Sequence, residues 1–281
     1  MQFEHPSDLR DPAVVIAFSG WNDAGNAASD SVLHLIDKYP SQEIARIDDE
    51  RFYDYQATRP GLKLTPDGPF LEWPHLSIQR VAHPDRDLIA VVGPEPSLLW
   101  RAYAQELLDI VSALRPRLCL LLGAMLSDTP HTRPLPVSMS TLDTGLQERL
   151  QLEELRYEGP VGIVGVVNQM LIAQGLPTAS MWVSIPHYVA SPPSPKGQEA
   201  LMGRIEELLG IELEHSDLPV EAEKWTQAVD ELSQEDPDVA EYIEQLEEAR
   251  DASDVESVTG ETIAAEFERY LKGKGDQPPP G

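Results

Sequence analysis

The chain has 281 residues and a net charge of −27, long enough for one large α/β domain with an appendage and a sizeable buried core. From Glu199 onward 24 acidic residues stand against 6 basic ones, a net −18, which leaves −9 for residues 1–198. Such a surface repels phosphate polymers and anionic membranes, so nucleic-acid and membrane-surface roles are excluded.

The N-terminus MQFEHPSDLR is polar, and no apolar run reaches the ~20 residues needed to span a bilayer. Cys119 is the single cysteine. A disulfide framework within one chain is therefore impossible, which suits a reducing compartment and a cytoplasmic location. Set inside Leu118-Cys119-Leu120-Leu121-Leu122, its thiol reads as a small core group.

Four apolar segments end at or near glycine. Val14 to Ser19 precedes Gly20, Leu88 to Val92 precedes Gly93, Leu118 to Leu122 precedes Gly123, and Val161 to Val167 surrounds Gly162 and Gly165. Unbroken hydrophobic runs are what strands buried on both faces require. Residues 26–39 place Ala28, Val32, Leu35, Ile36 and Tyr39 on one helical face. Leu99, Tyr103, Leu107, Ile110, Val111 and Leu114 keep the same period until Arg115-Pro116 ends it. Between these units, Glu43 to Ile47, Arg51 to Tyr55, Lys63-Leu64 and Leu76 to Ala82 are short, proline- and glycine-punctuated pieces, read as antiparallel excursions or added strands. Ala179 to Ile185 is a further strand, and Ser191-Pro192-Pro193-Ser194-Pro195 marks a turn.

Beyond that turn the composition becomes helical and acidic. Leu201, Ile205, Leu208 and Leu209 form one apolar face, and Ala222, Trp225, Val229 and Leu232 the next. Asp236-Pro237 opens a third helix bearing Val239, Tyr242, Ile243 and Leu246. Ile263, Phe267 and Leu271 suggest a last one. The expected organisation is an α/β core over 1–195, an acidic helical region over 196–272 and a disordered tail over 273–281.

Three loops carry the candidate ligand-binding residues, on the expectation that glycine-bearing strand tips line one rim at the carboxyl edge of the sheet. In Gly20-Trp21-Asn22-Asp23-Ala24-Gly25 the glycines admit a close ligand, and the following helix end offers N–H groups to an anion. Alternatively, Asn22 or Asp23 is simply a helix cap. Gly93-Pro94-Glu95-Pro96-Ser97 offers Glu95 as a base or diol ligand, with Ser97 beside it. It reads equally as a proline-stiffened helix entry. Ser127 to Pro134 holds Asp128, His131 and Arg133, the composition of an anion-binding or acid/base loop and also of an ordinary one. The remaining histidines are scattered, with no HExxH or CxxC, so no metal site and no cofactor is expected. The absence of GxSxG argues against a serine hydrolase.

GWNDAGNAA at 20–28, Arg51-Phe52-Tyr53-Asp54-Tyr55 with Arg59-Pro60, GPEPSLLW at 93–100, LLGAMLSDTPHTRP at 121–134, YEGPVGIVGVVN at 157–168 and SMWVSIPHYVA…PPSPKG within 180–197 together resemble the PAC2 family. These are the proteasome-assembly-chaperone-like proteins, and the likeness is to their actinobacterial branch. The resemblance implies a three-layer α/β/α sandwich with a mixed, mostly parallel sheet, similar to purine nucleoside phosphorylases and related hydrolases. It implies self-association as a homotrimer and function through protein–protein contacts. Relatives in the family bind 20S proteasome particles, many through a C-terminal hydrophobic-Tyr-X motif. This sequence ends Pro-Pro-Pro-Gly, and Tyr270 in Arg269-Tyr270-Leu271 is neither terminal nor preceded by an apolar residue, so the resemblance does not carry that route over. The alternative is a small-molecule-binding protein or enzyme of the nucleoside phosphorylase or hydrolase type, with Asn22, Asp23, Glu95, Asp128 and His131 lining its crevice.

Overall fold

A computed structural model describes residues 2–4, 6, 8–150, 153–154 and 158–257. Its centre is a nine-stranded sheet in the order β1-β3-β6-β7-β2-β8-β11-β9-β10. The strands are β1 (Gln2–Phe3), β2 (Ala13–Ser19), β3 (Ser41–Ile47), β6 (Leu76–Ala82), β7 (Asp87–Pro94), β8 (Leu118–Ser127), β9 (Val137–Thr141), β10 (Glu153–Glu154) and β11 (Thr178–Pro186). Strands β4 (Gly61–Thr65) and β5 (Gly68–Glu72) form a separate hairpin. Of the seven longer strands in the main sheet, β2, β3, β7, β8 and β11 share one direction, while β6 and β9 oppose it. The sheet is thus mixed and mostly parallel, as expected.

Side-chain alternation builds the layers. Along β2, Ala13, Val15 and Ala17 enter one apolar cluster, and Val14, Ile16 and Phe18 enter the other. The first cluster is closed by α1 (Ala27–Lys38) through Ala28, Val32 and Leu35, and by α5 (Pro195–Leu209) through Leu201, Met202 and Ile205. The second is closed by α2 (Trp100–Leu114) through Tyr103, Leu107 and Val111, and by α4 (Ile163–Ala173) through Ile163, Val167 and Leu171. Helices on both faces of a mostly parallel sheet make the three-layer sandwich. Cys119 lies on the second face, where burial pushes its thiol up to about 12.

Two sequence expectations are corrected. Val161 to Val167 reads as an apolar strand, yet it opens α4. Its buried positions Ile163, Val164, Val167, Asn168 and Leu171 follow the helical repeat, with Gly162 extended as the cap. A short β-branched run does not distinguish strand from helix by periodicity alone. Arg51 to Tyr55 is not an added strand, because Glu50–Phe52 forms a tight turn capped by Asp49 Oδ1, which accepts from the Arg51 N–H at 2.9 Å.

Past the sandwich, α6 (Leu218–Gln234) and α7 (Pro237–Ser257) follow α5. A short α3 (Thr144–Leu150) lies between β9 and β10. The candidate helix at Ile263, Phe267 and Leu271 and the tail 273–281 lie outside the described residues. No described helix is long and apolar enough to cross a membrane.

Candidate functional site

The β2–α1 turn begins where the strand must reverse. Gly20 takes φ +131°, a conformation that side chains rarely adopt. A methyl group there would also stand about 3.1–3.2 Å from the Glu95 side chain. Asp23 then folds under the helix it precedes. Its Oδ1 accepts from the N–H groups of Ala28 (2.8 Å) and Ser29 (3.2 Å), and its Oδ2 accepts from the Ser29 hydroxyl. Burial raises the Asp23 carboxyl above the usual carboxylate range, and these hydrogen bonds oppose the rise. The helix end that the sequence offers to an anion is therefore occupied by the chain's own carboxylate. Gly25 faces Ser194, whose N–H donates to Gly25 O at 2.8 Å. Its close approach serves the packing of the proline-rich segment.

Glu95 joins the same edge. Its N–H donates to Ser19 O at 3.0 Å, extending the β2–β7 pairing by one step. Its Oε2 accepts from Asn22 Nδ2 at 3.1 Å and its Oε1 from the Trp21 N–H at 3.4 Å. Asn22 is 2 % exposed, and its Oδ1 has no hydrogen-bond partner. A side chain on Gly162 would place a carbon 2.3 Å from that oxygen, so only glycine fits where α4 starts. Gly93 is likewise held by a close approach, with His75 O 2.3 Å from where its Cβ would stand. Ser97 is exposed, and its backbone N–H donates to Phe52 O at 2.8 Å. Trp21 is exposed at the mouth. Gly20, Trp21, Asn22 and Glu95 thus come together, and Gly162 is the member that sequence reading set aside as part of a strand.

Asp128, His131 and Arg133 form a different group. His131 is fully buried; its Nδ1 lies 2.8 Å from Tyr188 Oη and its Nε2 lies 3.0 Å from Asp230 Oδ1 on α6. The His131 backbone N–H also donates to Tyr188 Oη, and Lys196 Nζ donates to His131 O. Arg133 holds Asp251 of α7 with two bonds of 2.9 and 2.8 Å, Thr132 donates to Glu247, and Tyr242 donates to Asp128 at 3.0 Å. Burial lowers the pKa of His131 below the usual imidazole value and that of Lys196 below the usual amine value, while Asp230 acts to raise His131. The β2 and β8 tips share one edge, where the Ala124 N–H donates to Asn22 O at 2.8 Å, yet among the described residues no hydrogen bond or ion pair joins Asp128, His131 or Arg133 to Asn22 or Glu95. The 128–133 loop instead meets α6 and α7, whose partners Asp230, Glu247 and Asp251 sit 99 to 118 positions away in sequence. Loop composition gives no signal for contacts so distant.

Chemically, the Gly20–Glu95 cluster is a carboxylate holding a turn. Among the described residues no hydrogen bond links Glu95 to a serine, cysteine or histidine side chain, and none of their acidic, cysteine and histidine side chains are grouped to hold a metal ion. Two cavities of about 360 and 340 Å³ lie elsewhere, beside β3, where Arg46 and Asp48 line both.

The PAC2 family model matches residues 17–233. A PAC2 family protein from Streptomyces avermitilis is 40 % identical, with a TM-score of 0.76, the match covering 83 % of this chain and 99 % of that one. A Mycobacterium tuberculosis proteasome-assembly chaperone homologue is 42 % identical, with a TM-score of 0.75 over 82 % of this chain and 99 % of that one. Pyrococcus furiosus PbaB, an archaeal proteasome activator, shares the fold at 18 % identity and a TM-score of 0.65, over 83 % and 97 % of the two chains. No curated protein matches. The turn at Gly20, the Glu95 strand end and the α4 start all lie inside the matched span, and the two actinobacterial relatives are covered nearly end to end, so the chain belongs to the PAC2 family.

Proposed function

We propose that this protein is a proteasome-assembly-chaperone-like factor of the cytoplasm, acting through protein–protein contacts as a homotrimer with a link to the proteasome. The observation that carries this reading is how the polar groups of the sheet's carboxyl edge are used. Asp23 and Glu95 accept from the chain's own donors, while Trp21, Leu98 and Leu99 stand exposed around them. A face with its polar groups engaged internally and apolar side chains outward suits a macromolecular partner better than a reacting small molecule. The likeness to a Mycobacterium proteasome-assembly chaperone homologue and to a Pyrococcus proteasome activator supports the proteasome link. Affinity capture of the tagged chain from its native cells at low salt tests it. The expected result is 20S subunits in stoichiometric yield, and their absence removes the proteasome from the reading.

One observation favours a second reading, a small-molecule site of the nucleoside phosphorylase or hydrolase type at the same edge. Asn22 Oδ1 is buried without a donor, which costs about 1–3 kcal/mol unless something supplies one. If a ligand does so, phosphate, nucleosides or nucleotides raise the melting temperature by mass action, and Asn22→Ala abolishes the rise. A flat thermal-shift screen eliminates this reading.

A further inference from the structure

We infer that the β4–β5 hairpin is the surface through which one copy of this chain meets another; the inference rests on the self-association part of the function proposed above. The hairpin pairs Leu62 with Leu71 and Leu64 with Pro69 across its ladder, which puts these four side chains on one face. Leu62, Leu64 and Leu71 are 66, 84 and 49 % exposed. The opposite face carries Lys63 and Glu72, joined by an ion pair of 2.7 Å, together with Phe70, which is 56 % exposed. The first face is wholly aliphatic and the second mixes one ring with an ion pair, and the exposures leave the aliphatic face uncovered among the described residues.

A two-stranded ribbon on its own is marginal in water, and it gains independent stability once its apolar face packs against something. Here the ribbon is tied back to the core by Trp73, whose ring lies 4.9 Å from that of Tyr55. Edge-on addition of an extended peptide is disfavoured, because Pro69 lacks a backbone donor and Lys63 charges the edge. On the far side Lys63 and Glu72 pair with each other. A second copy fits the chemistry. Repeated around a three-fold axis, the same aliphatic face meets its equivalents and requires no complementary charged groups. Charge favours the same conclusion. Residues 59–72 hold Arg59, Lys63, Asp67 and Glu72, a net charge of zero, whereas −18 of the charge of this strongly acidic chain lies from Glu199 onward. Two copies repel least where they meet hairpin to hairpin.

Sedimentation velocity of the full chain from about 1 to about 100 µM tests the proposal by mass action. The unaltered chain is expected to sediment as an oligomer. Leu62→Asp with Leu64→Asp should weaken association at least ~100-fold, leaving a monomer with unchanged circular dichroism, because both positions are exposed. Lys63→Ala, on the other face, should leave association intact. A second measurement uses Leu64→Cys: Cys119 is fully buried, so a bismaleimide should join chains through position 64 alone. An unaltered chain that is monomeric throughout overturns the self-association reading and this surface together. An oligomer that persists in the double variant, or that yields no cross-link through position 64, overturns the hairpin while leaving self-association standing.

Discussion

Neighbouring parallel strands β2 and β8 end in loops that hold similar residues and serve different ends. The β2 loop closes on itself: Asp23 caps the helix that follows it, and Asn22 reaches Glu95 on the next strand. The β8 loop opens outward, and His131, Thr132 and Arg133 bind acidic side chains about a hundred residues further along. The first loop fixes the sheet's edge, and the second fastens the acidic helices to the sandwich. Acidic, basic and imidazole groups in a loop thus follow from a docked element as readily as from chemistry.

The contrast breaks most sharply at His131. His131→Ala removes a buried ring together with its bonds to Asp230 and Tyr188, and is expected to cost about 2–4 kcal/mol in urea unfolding at pH 7. Amide exchange should then accelerate in α6 and α7 before the sheet. Burial lowers the folded-state pKa of His131, so its stabilisation is complete above the unfolded value near 6.5 and is lost as pH falls through the folded one. The penalty of the substitution should therefore shrink on acidification from pH 7 to 5. A penalty that does not change across that range contradicts a neutral histidine as the fastener.

Asp23→Ala comes next, with an expected loss of about 1–2 kcal/mol from the missing cap. The α6–α7 region should keep its protection, because among the described residues no direct side-chain hydrogen bond or ion pair joins the two loops. Accelerated exchange there instead would show that the loops act as one unit.

Asp30, in the first turn of α1, sharpens the picture from the opposite sign. Burial, with the Asp23 charge adding to it, raises its carboxyl to about 6. A raised acid favours the folded state while protonated, so this contribution is present below about pH 4 and is lost as pH rises through about 6. Asp30→Asn should thus stabilise the protein near pH 8 by about 1 kcal/mol, allowing for its partial exposure, and the gain should vanish below pH 4 in thermal melts.

The smallest effect is expected from Arg133→Ala. Its pair with Asp251 is at the surface, where such contacts add little to global stability. The melting temperature should hardly move, while exchange in α7 rises and becomes insensitive to added salt. If α7 exchanges as in the unaltered chain, Arg133 is not part of the fastening.

The sandwich was legible because burial on both faces writes itself as unbroken runs at Ala13–Phe18, Leu88–Val92 and Leu118–Leu122, and because Arg115-Pro116 and Asp236-Pro237 punctuate helices in ways few residues can. Val161 to Val167 misled because glycine and β-branched residues serve a buried helix as well as a buried strand. At the candidate site, Gly20, Asn22 and Glu95 were within reach of sequence reading, since strand ends in parallel register bring their loops together. The partners of His131 and Arg133 were not, because nothing local to residues 128–133 encodes helices that begin after residue 217. Gly162 escaped for a related reason: its role is set by Asn22, across the fold.

The carboxylate of Asp23 has one more consequence. It is a built-in counter-ion, seated where a phosphate would otherwise lodge against the first amides of α1. A related chain bearing glycine or serine at this position would present that seat vacant. One codon therefore separates a sealed turn from one whose first helical amides lack an internal acceptor.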